Sequence, residues 1–158
     1  MERAREVLEL TKEQTESVSR LDDLANLVQK KTSFYEYFTL AGTRVDRVEP
    51  GLVVCSFKVP RRLTDSNGNL AKGAIATLVD EIGAAAVHSD DQPMKVSVDM
   101  SISYLSTAKL NDELEIVSRA LGQKRGYFGT SVLIKNKETG EIIAEGRHSL
   151  FCRVASKM

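Results

Sequence analysis

The sequence predicts an α+β fold in which one long helix is wrapped by a six-stranded antiparallel sheet, with an extra helix at the N-terminus. Three observations carry this expectation. The hydrophobic period is two over residues 43–60, becomes helical over residues 68–89, and returns to two from residue 96 onward. The breaks between the later strand candidates, "STAKLND", "GQKRG" and "NKETGE", are short and turn-like. A lone helix of about 15 residues spans roughly 22 Å. An antiparallel sheet folded around it is the economical way to bury its apolar sides.

Length and charge set the frame. A chain of 158 residues suits one domain with a tail. Its 22 basic residues balance 22 acidic ones, so no overall field draws it to nucleic acid or to an anionic membrane surface. No run approaches the ~20 apolar residues of a membrane span, and no secretory or transit signal is visible at the start. Cys55 and Cys152 have no metal spacing and are expected as reduced thiols in a soluble intracellular protein.

Residues 1–31 are charged and helical in pattern, with Val7, Leu8, Leu10, Leu21, Leu24, Leu27 and Val28 at helical spacing and Ser19 as a cap. This amphipathic extension is read either as packing on a partner subunit or as a partly ordered tail. Phe34, Tyr35 and Phe38 then mark a brief helix ended by Gly42. The segment "TRVDRVEPGLVVCSFKVP" alternates, turns at Pro50 and Gly51, and reads as a β-hairpin. Beyond the long helix, strands are expected at Val96–Leu105, Glu113–Leu121, Tyr127–Lys135 and Ile142–Cys152. The main domain is therefore placed at residues 32–155.

The long helix poses the chemical question. Asp80 and Glu81 sit side by side in its apolar middle, about 100° apart around the axis, so one solvated face cannot easily hold both. One of them is expected to face a cleft or an interface, Asp80 before Glu81. Gly73, Thr77, Asp80 and Ala84 form a ridge of small residues suited to close packing or ligand access. At the helix start, the free N–H groups near Lys72 and Gly73 carry the positive end of the dipole. No G-x-S-x-G elbow, phosphate loop or nucleic-acid motif is present. His88 and His148 show no metal or triad spacing; His88 is expected to end the helix and His148 to be structural.

The strings "GAIATLVDEIGAAA", "VSVDMSISYLSTAKLNDELEI" and "TGEIIAEGRHSLF" resemble, in order and spacing, the hotdog-fold thioesterases, in particular small acyl-coenzyme A thioesterases of the phenylacetate-degradation type. The resemblance covers roughly residues 33–152. It implies a homo-oligomer, a tetramer built from two hotdog dimers, with each active site shared between two subunits. It implies an acyl-coenzyme A substrate, no metal and no cofactor beyond that thioester. It makes Asp80 the general base or nucleophile and the Lys72–Gly73 amides the oxyanion donors. Such donors are worth about 3 kcal/mol each.

The chain departs from that family pattern. Ala71, Lys72 and Gly73 stand where active relatives carry His-Gly-Gly, and Asp65 stands at the position of a loop Asn. An ionised Asp donates no hydrogen bond. Either Asp65 is protonated, or Asn67 or Asn69 takes the role, or activity is reduced. Ser97 matches a Ser that positions the attacking water. Coenzyme A contacts are implied for the segment from Tyr104 through Ser106 to Lys109 and for the turn holding Lys124 and Arg125, which are expected to form a basic cluster. The leading expectation is hydrolysis of acyl-coenzyme A by base-activated water. The alternatives are a catalytically weakened acyl-coenzyme A binding protein and an acyl-thioester hydratase or dehydratase. The terminal Ser156, Lys157 and Met158 resemble a peroxisomal address; cytoplasm is the other placement.

Overall fold

The computed structural model describes residues 11–13, 16, 34–88 and 95–152. The chain divides into two compact units, residues 1–38 and 39–158. The expected extension over residues 1–31 lies outside the described residues except for 11–13 and 16, as does the 156–158 tail. A short helix, α1, spans Phe34–Leu40. Within it the Phe34 and Phe38 rings stack with centroids 5.8 Å apart, the i, i+4 pairing a helix permits. A turn at Gly42, with φ 93, closes it as expected. No described helix is long and apolar enough to cross a membrane.

In the second unit, strands β1 (Arg44–Glu49) and β2 (Leu52–Lys58) form the first hairpin. A single 3-10 turn at Arg61–Leu63 leads to the long helix α2, Lys72–Ala85. Strands β3 (Val96–Tyr104), β4 (Glu113–Lys124), β5 (Tyr127–Asn136) and β6 (Ile142–Phe151) complete one antiparallel sheet in the order β1-β2-β4-β5-β6-β3. The predicted fold class is the observed one.

Alternation explains the burial. Along β5, Phe128, Thr130, Val132, Ile134 and Asn136 face inward, and Leu114, Ile116 and Ser118 do the same on β4. They meet Ile75, Leu78, Val79 and Ile82 of α2. Each fully buried aliphatic side chain contributes roughly 1.5–3 kcal/mol. Two glycines set how closely the helix approaches. A Cβ on Gly146 of β6 would lie 2.5 Å from Val79 Cγ1, and one on Gly83 would lie 2.9 Å from His148 Nδ1.

Two expectations need correction. The segment "GQKRG" is not a loop: β4 continues to Lys124, and the turn is Arg125–Gly126 alone, with φ 51 and 84. Positive φ at both central residues gives the type I′ turn whose twist matches a two-residue hairpin. Gly126 is required there, because a Cβ would come within 2.3 Å of the Cys152 carbonyl oxygen. His88 does not end the helix either. The helix stops at Ala85, and the amides of Val87 and His88 donate back to the Ala84 and Ala85 carbonyls in the turn that follows.

Candidate active site

Three elements bring their side chains to one point. Asp80 lies in the third turn of α2, and its Oδ1 accepts a hydrogen bond from Ser97 Oγ of β3 at 2.7 Å. His148 Nε2 of β6 stands 3.1 Å from the same oxygen and 2.9 Å from Ser97 Oγ. Of the adjacent acids, Asp80 is the one these two residues meet. Its side chain is 39 % exposed, whereas that of His148 is fully buried. One carboxylate oxygen is thus held from the protein side.

The strand geometry explains why Ser97 points inward. Ser97 pairs with Leu150 and Met100 with His148, both inward-facing partners, although an unbroken strand would put residues 97 and 100 on opposite faces. A bulge between Ser97 and Asp99 absorbs the extra residue and re-aims the serine at the helix.

The sequence reading placed His148 on the last strand as a structural residue, and the structure brings its ring to Asp80 and Ser97. It shares the inward register of Gly146 and Leu150, and that period-two spacing in "EGRHSLF" was the available signal. Burial lowers its pKa from the usual histidine value, and the Asp80 charge raises it in part. The neutral ring then donates from Nε2 to the carboxylate, an assignment that follows from the hydrogen-bond network. The buried Nδ1, without a partner among the described residues and packed against Gly83, is left as an unprotonated acceptor.

The helix begins at Lys72. Ala71 is the N-cap and supplies no side-chain hydrogen bond, so the first turn from Lys72 and Gly73 carries no side-chain cap. Thr77 Oγ1 donates to the Gly73 carbonyl at 3.1 Å. Gly73 and Asp80 are seven residues apart on one helix, about 10 Å at 1.5 Å per residue. Within one chain they cannot both touch a single carbonyl group.

Asp65 is not the protonated donor that one rescue required. Its Oδ1 accepts from the Asn67 and Asn69 amides at 2.8 and 2.9 Å, and Asn69 Nδ2 donates to its Oδ2 at 3.3 Å. The Asn69 backbone bond is the largest cause of a carboxyl held below the usual aspartate value. Asn69 is itself engaged, since its Oδ1 accepts from Lys109 Nζ.

The expected basic cluster is not formed within one chain. Lys109 lies beside the loop before α2, where Asn69 and Lys109 form a β-bridge. Lys124 and Arg125 lie at the far end of β4, roughly 35 Å of strand away at 3.3 Å per residue. Tyr104 and Lys72 do meet: Lys72 Nζ sits 5.4 Å from the Tyr104 ring centroid, and Tyr104 Oη makes a long 3.4 Å contact with the Lys72 carbonyl. Ser106 Oγ donates to Glu141 Oε1 at 2.6 Å, tying this segment to the β5–β6 turn. Among the described residues no three His, Cys, Asp or Glu side chains are grouped to hold a metal. Both cysteines are free and buried.

The chain is similar to known proteins in sequence and in fold. The profile of the thioesterase superfamily matches residues 67–143. Human acyl-coenzyme A thioesterase 13 is 43% identical over 101 residues, covering 63% of this chain and 72% of the relative. The crystal structure of zebrafish thioesterase superfamily member 2 superposes with a TM-score of 0.71 at 34% identity, over 82% of this chain and 93% of that one. A hypothetical thioesterase protein from Streptococcus pneumoniae, solved with coenzyme A, has a TM-score of 0.66 at 29% identity, over 70% and 88%.

Proposed function

The chain belongs to the thioesterase superfamily, and from that membership we propose that it hydrolyses acyl-coenzyme A thioesters to the free acid and coenzyme A, with Asp80 as its base. The observation that carries the reading is the pinned Asp80 carboxylate: Ser97 and His148 hold Oδ1, and Oδ2 is left to accept a proton from water. That water attacks the thioester carbonyl carbon. The C–S bond of the tetrahedral intermediate then breaks, and the proton held by Asp80 passes to the departing thiolate. Water is the only co-reactant in this scheme, and no metal or cofactor enters it.

The oxyanion falls to the Lys72 and Gly73 amides of a second copy, because the same helix cannot present both ends to one carbonyl. Strand β3 supports this assembly. It is an edge of the sheet, and Val96 and Val98 are 61% and 55% exposed on it. An unpaired apolar edge favours pairing with another chain. A dimer of such dimers is the proposed assembly. Coenzyme A then meets Tyr104, Ser106 and Lys109 from one copy and Lys124 and Arg125 from another. Glu81 is left outside the reaction. Ser156, Lys157 and Met158 direct the protein to peroxisomes, which a fluorescent fusion with and without these three residues tests.

The deciding experiment measures free coenzyme A thiol released from an acyl-coenzyme A series. Release of one thiol per acid formed supports hydrolysis. Tight binding without release would establish the binding-only alternative, and an altered acyl group on an intact thioester the hydratase.

A further inference from the structure

The outer face of the sheet, turned away from α2, is the surface that the hydrolytic scheme leaves unused. An antiparallel sheet with one face on a core and the other in water alternates apolar-in and polar-out. The outer face breaks this rule at its centre. Arg47, Val54, Val117, Leu133 and Glu145 are cross-strand neighbours in one row over β1, β2, β4, β5 and β6. The three middle members are apolar and half-buried, and with the charges around them they line a hollow of about 650 Å³. At ~4.8 Å between strands, the row runs about 19 Å from Arg47 to Glu145.

The next row on the same face is Glu49, Leu52, Arg119, Ser131 and Arg147. The row ends therefore alternate in sign at four corners, with Arg47 and Glu145 closing one row and Glu49 and Arg147 the other. Within the chain these charges pair along their own strands, Arg47 Nε with Glu49 Oε1 at 3.5 Å and Arg147 Nη2 with Glu145 Oε1 at 3.2 Å, all four side chains about half exposed. Exposed pairs of this kind add little to the stability of one chain. Their arrangement does select a partner. When a second copy is turned face to face about a two-fold axis across the strands at the level of Ser118, each row lies on the other row of the second copy. Arg47 then meets the partner's Glu49, and Glu145 meets the partner's Arg147.

We propose that a second copy of this chain packs on this face, sheet against sheet, and that this contact joins the edge-paired dimers into a closed tetramer. Val54, Val117 and Leu133 form its apolar centre, and the four corner charges form a rim that meets its opposite on the other copy, the anatomy of a specific interface. An axis across the strands can meet the two-fold that pairs β3 with its copy, and two such axes close at four copies. The level of Ser118 passes through Val132 and Gly146 to Ile102 on β3, so closure centres the β3 pairing there. The closure rests on the β3 pairing proposed above, whereas the face-to-face contact does not.

Sedimentation velocity on the full chain reads the mass. The native protein is expected as four copies, and Val117→Lys, which sets an ammonium against the partner's Arg119, as two. Glu145→Arg puts a like charge against the partner's Arg147 and should halve the mass in the same way. Adding Arg147→Glu to that variant makes the facing charges opposite again and should restore four copies, a recovery that mere loss of stability would not give. An unchanged mass in both single variants, no recovery in the double, or a native protein of one copy overturns the proposal. A native mass of two copies that falls to one in the single variants keeps this face as the interface and removes the β3 pairing instead. If no thioester is cleaved, the hydrolytic reading falls alone, because the mass is read without substrate. Should Val117→Lys fail to fold, the exposed Glu145 and Arg147 decide the matter.

Discussion

Asp80 Oδ1 and His148 Nε2 stand 3.1 Å apart, joining the middle of the central helix to the last strand of the sheet. A Cβ on Gly83 would lie 2.9 Å from His148 Nδ1 and one on Gly146 2.5 Å from Val79 Cγ1, so both glycines let the helix settle close to the sheet. Ser97 Oγ contacts both. The carboxylate is held by a hydroxyl and a neutral imidazole, so its orientation is fixed before any substrate arrives. Preorganisation of this kind removes a reorganisation cost from the reaction step.

Replacement of Asp80 by Asn keeps the size of the side chain and removes the base. Turnover is expected to fall roughly a hundredfold, the low end for a general base, with the thermal midpoint nearly unchanged. Ser97→Ala removes one charge-assisted hydrogen bond and should cost roughly tenfold in kcat with KM little altered. Full activity in Asp80→Asn, measured by thiol release on folded protein, would end the assignment.

The fold and one half of the site were legible in the sequence. Period switching located the sheet and helix because both report burial directly, and the two adjacent acids in an apolar helix marked Asp80, which Ser97 and His148 contact. His148 was hidden because its partner is 68 positions away, and register, not spacing, brings them together. Ser97 faces inward only because of a bulge, which alternation in the sequence does not reveal. The supposed cluster of Lys109 with Lys124 and Arg125 failed for a related reason. Both segments adjoin β4, but at opposite ends of a strand read as three residues shorter than it is.

The helix-to-sheet contact makes a stability prediction. A methyl at residue 146 would overlap Val79 Cγ1, and both are in the packed interior. Gly146→Ala is expected to destabilise by about 1–3 kcal/mol through overpacking, read from urea midpoints. Val79→Ala in the same chain should return part of that loss, giving a non-zero coupling in the double-mutant cycle. Additive losses would show that the two positions do not clash.

Thiol chemistry gives an independent check on burial. Cys55 is 2% and Cys152 4% exposed, and burial pushes the Cys55 thiol above its usual value. Thiolate is the reactive form, so neither should react with an aromatic disulfide reagent in the native protein. Both should titrate after unfolding in guanidinium. Rapid native labelling of either would contradict the packing described, and slow labelling also leaves a coenzyme A release assay free of protein background.

His148 makes stability depend on pH in a defined direction. Burial holds its folded pKa below 6.5, so between those two values the unfolded chain binds a proton that the folded chain does not. The slope of stability with pH is positive wherever the unfolded state binds more protons. The contribution is therefore complete above about 6.5 and is lost as pH falls through the depressed folded value. Its limiting slope is about 1.4 kcal/mol per pH unit for one proton. Asp46 and Asp65, held below the usual aspartate value by Ser56 and by the Asn69 backbone, lose their contributions only at more acidic pH, so the range from 7.5 to 5 isolates the histidine. Urea midpoints should decline over that range in the native protein and stay nearly flat in His148→Gln, whose side chain can still donate to Asp80 but does not titrate. Equal slopes in the two proteins would mean that protonation of His148 is not what the folded state resists.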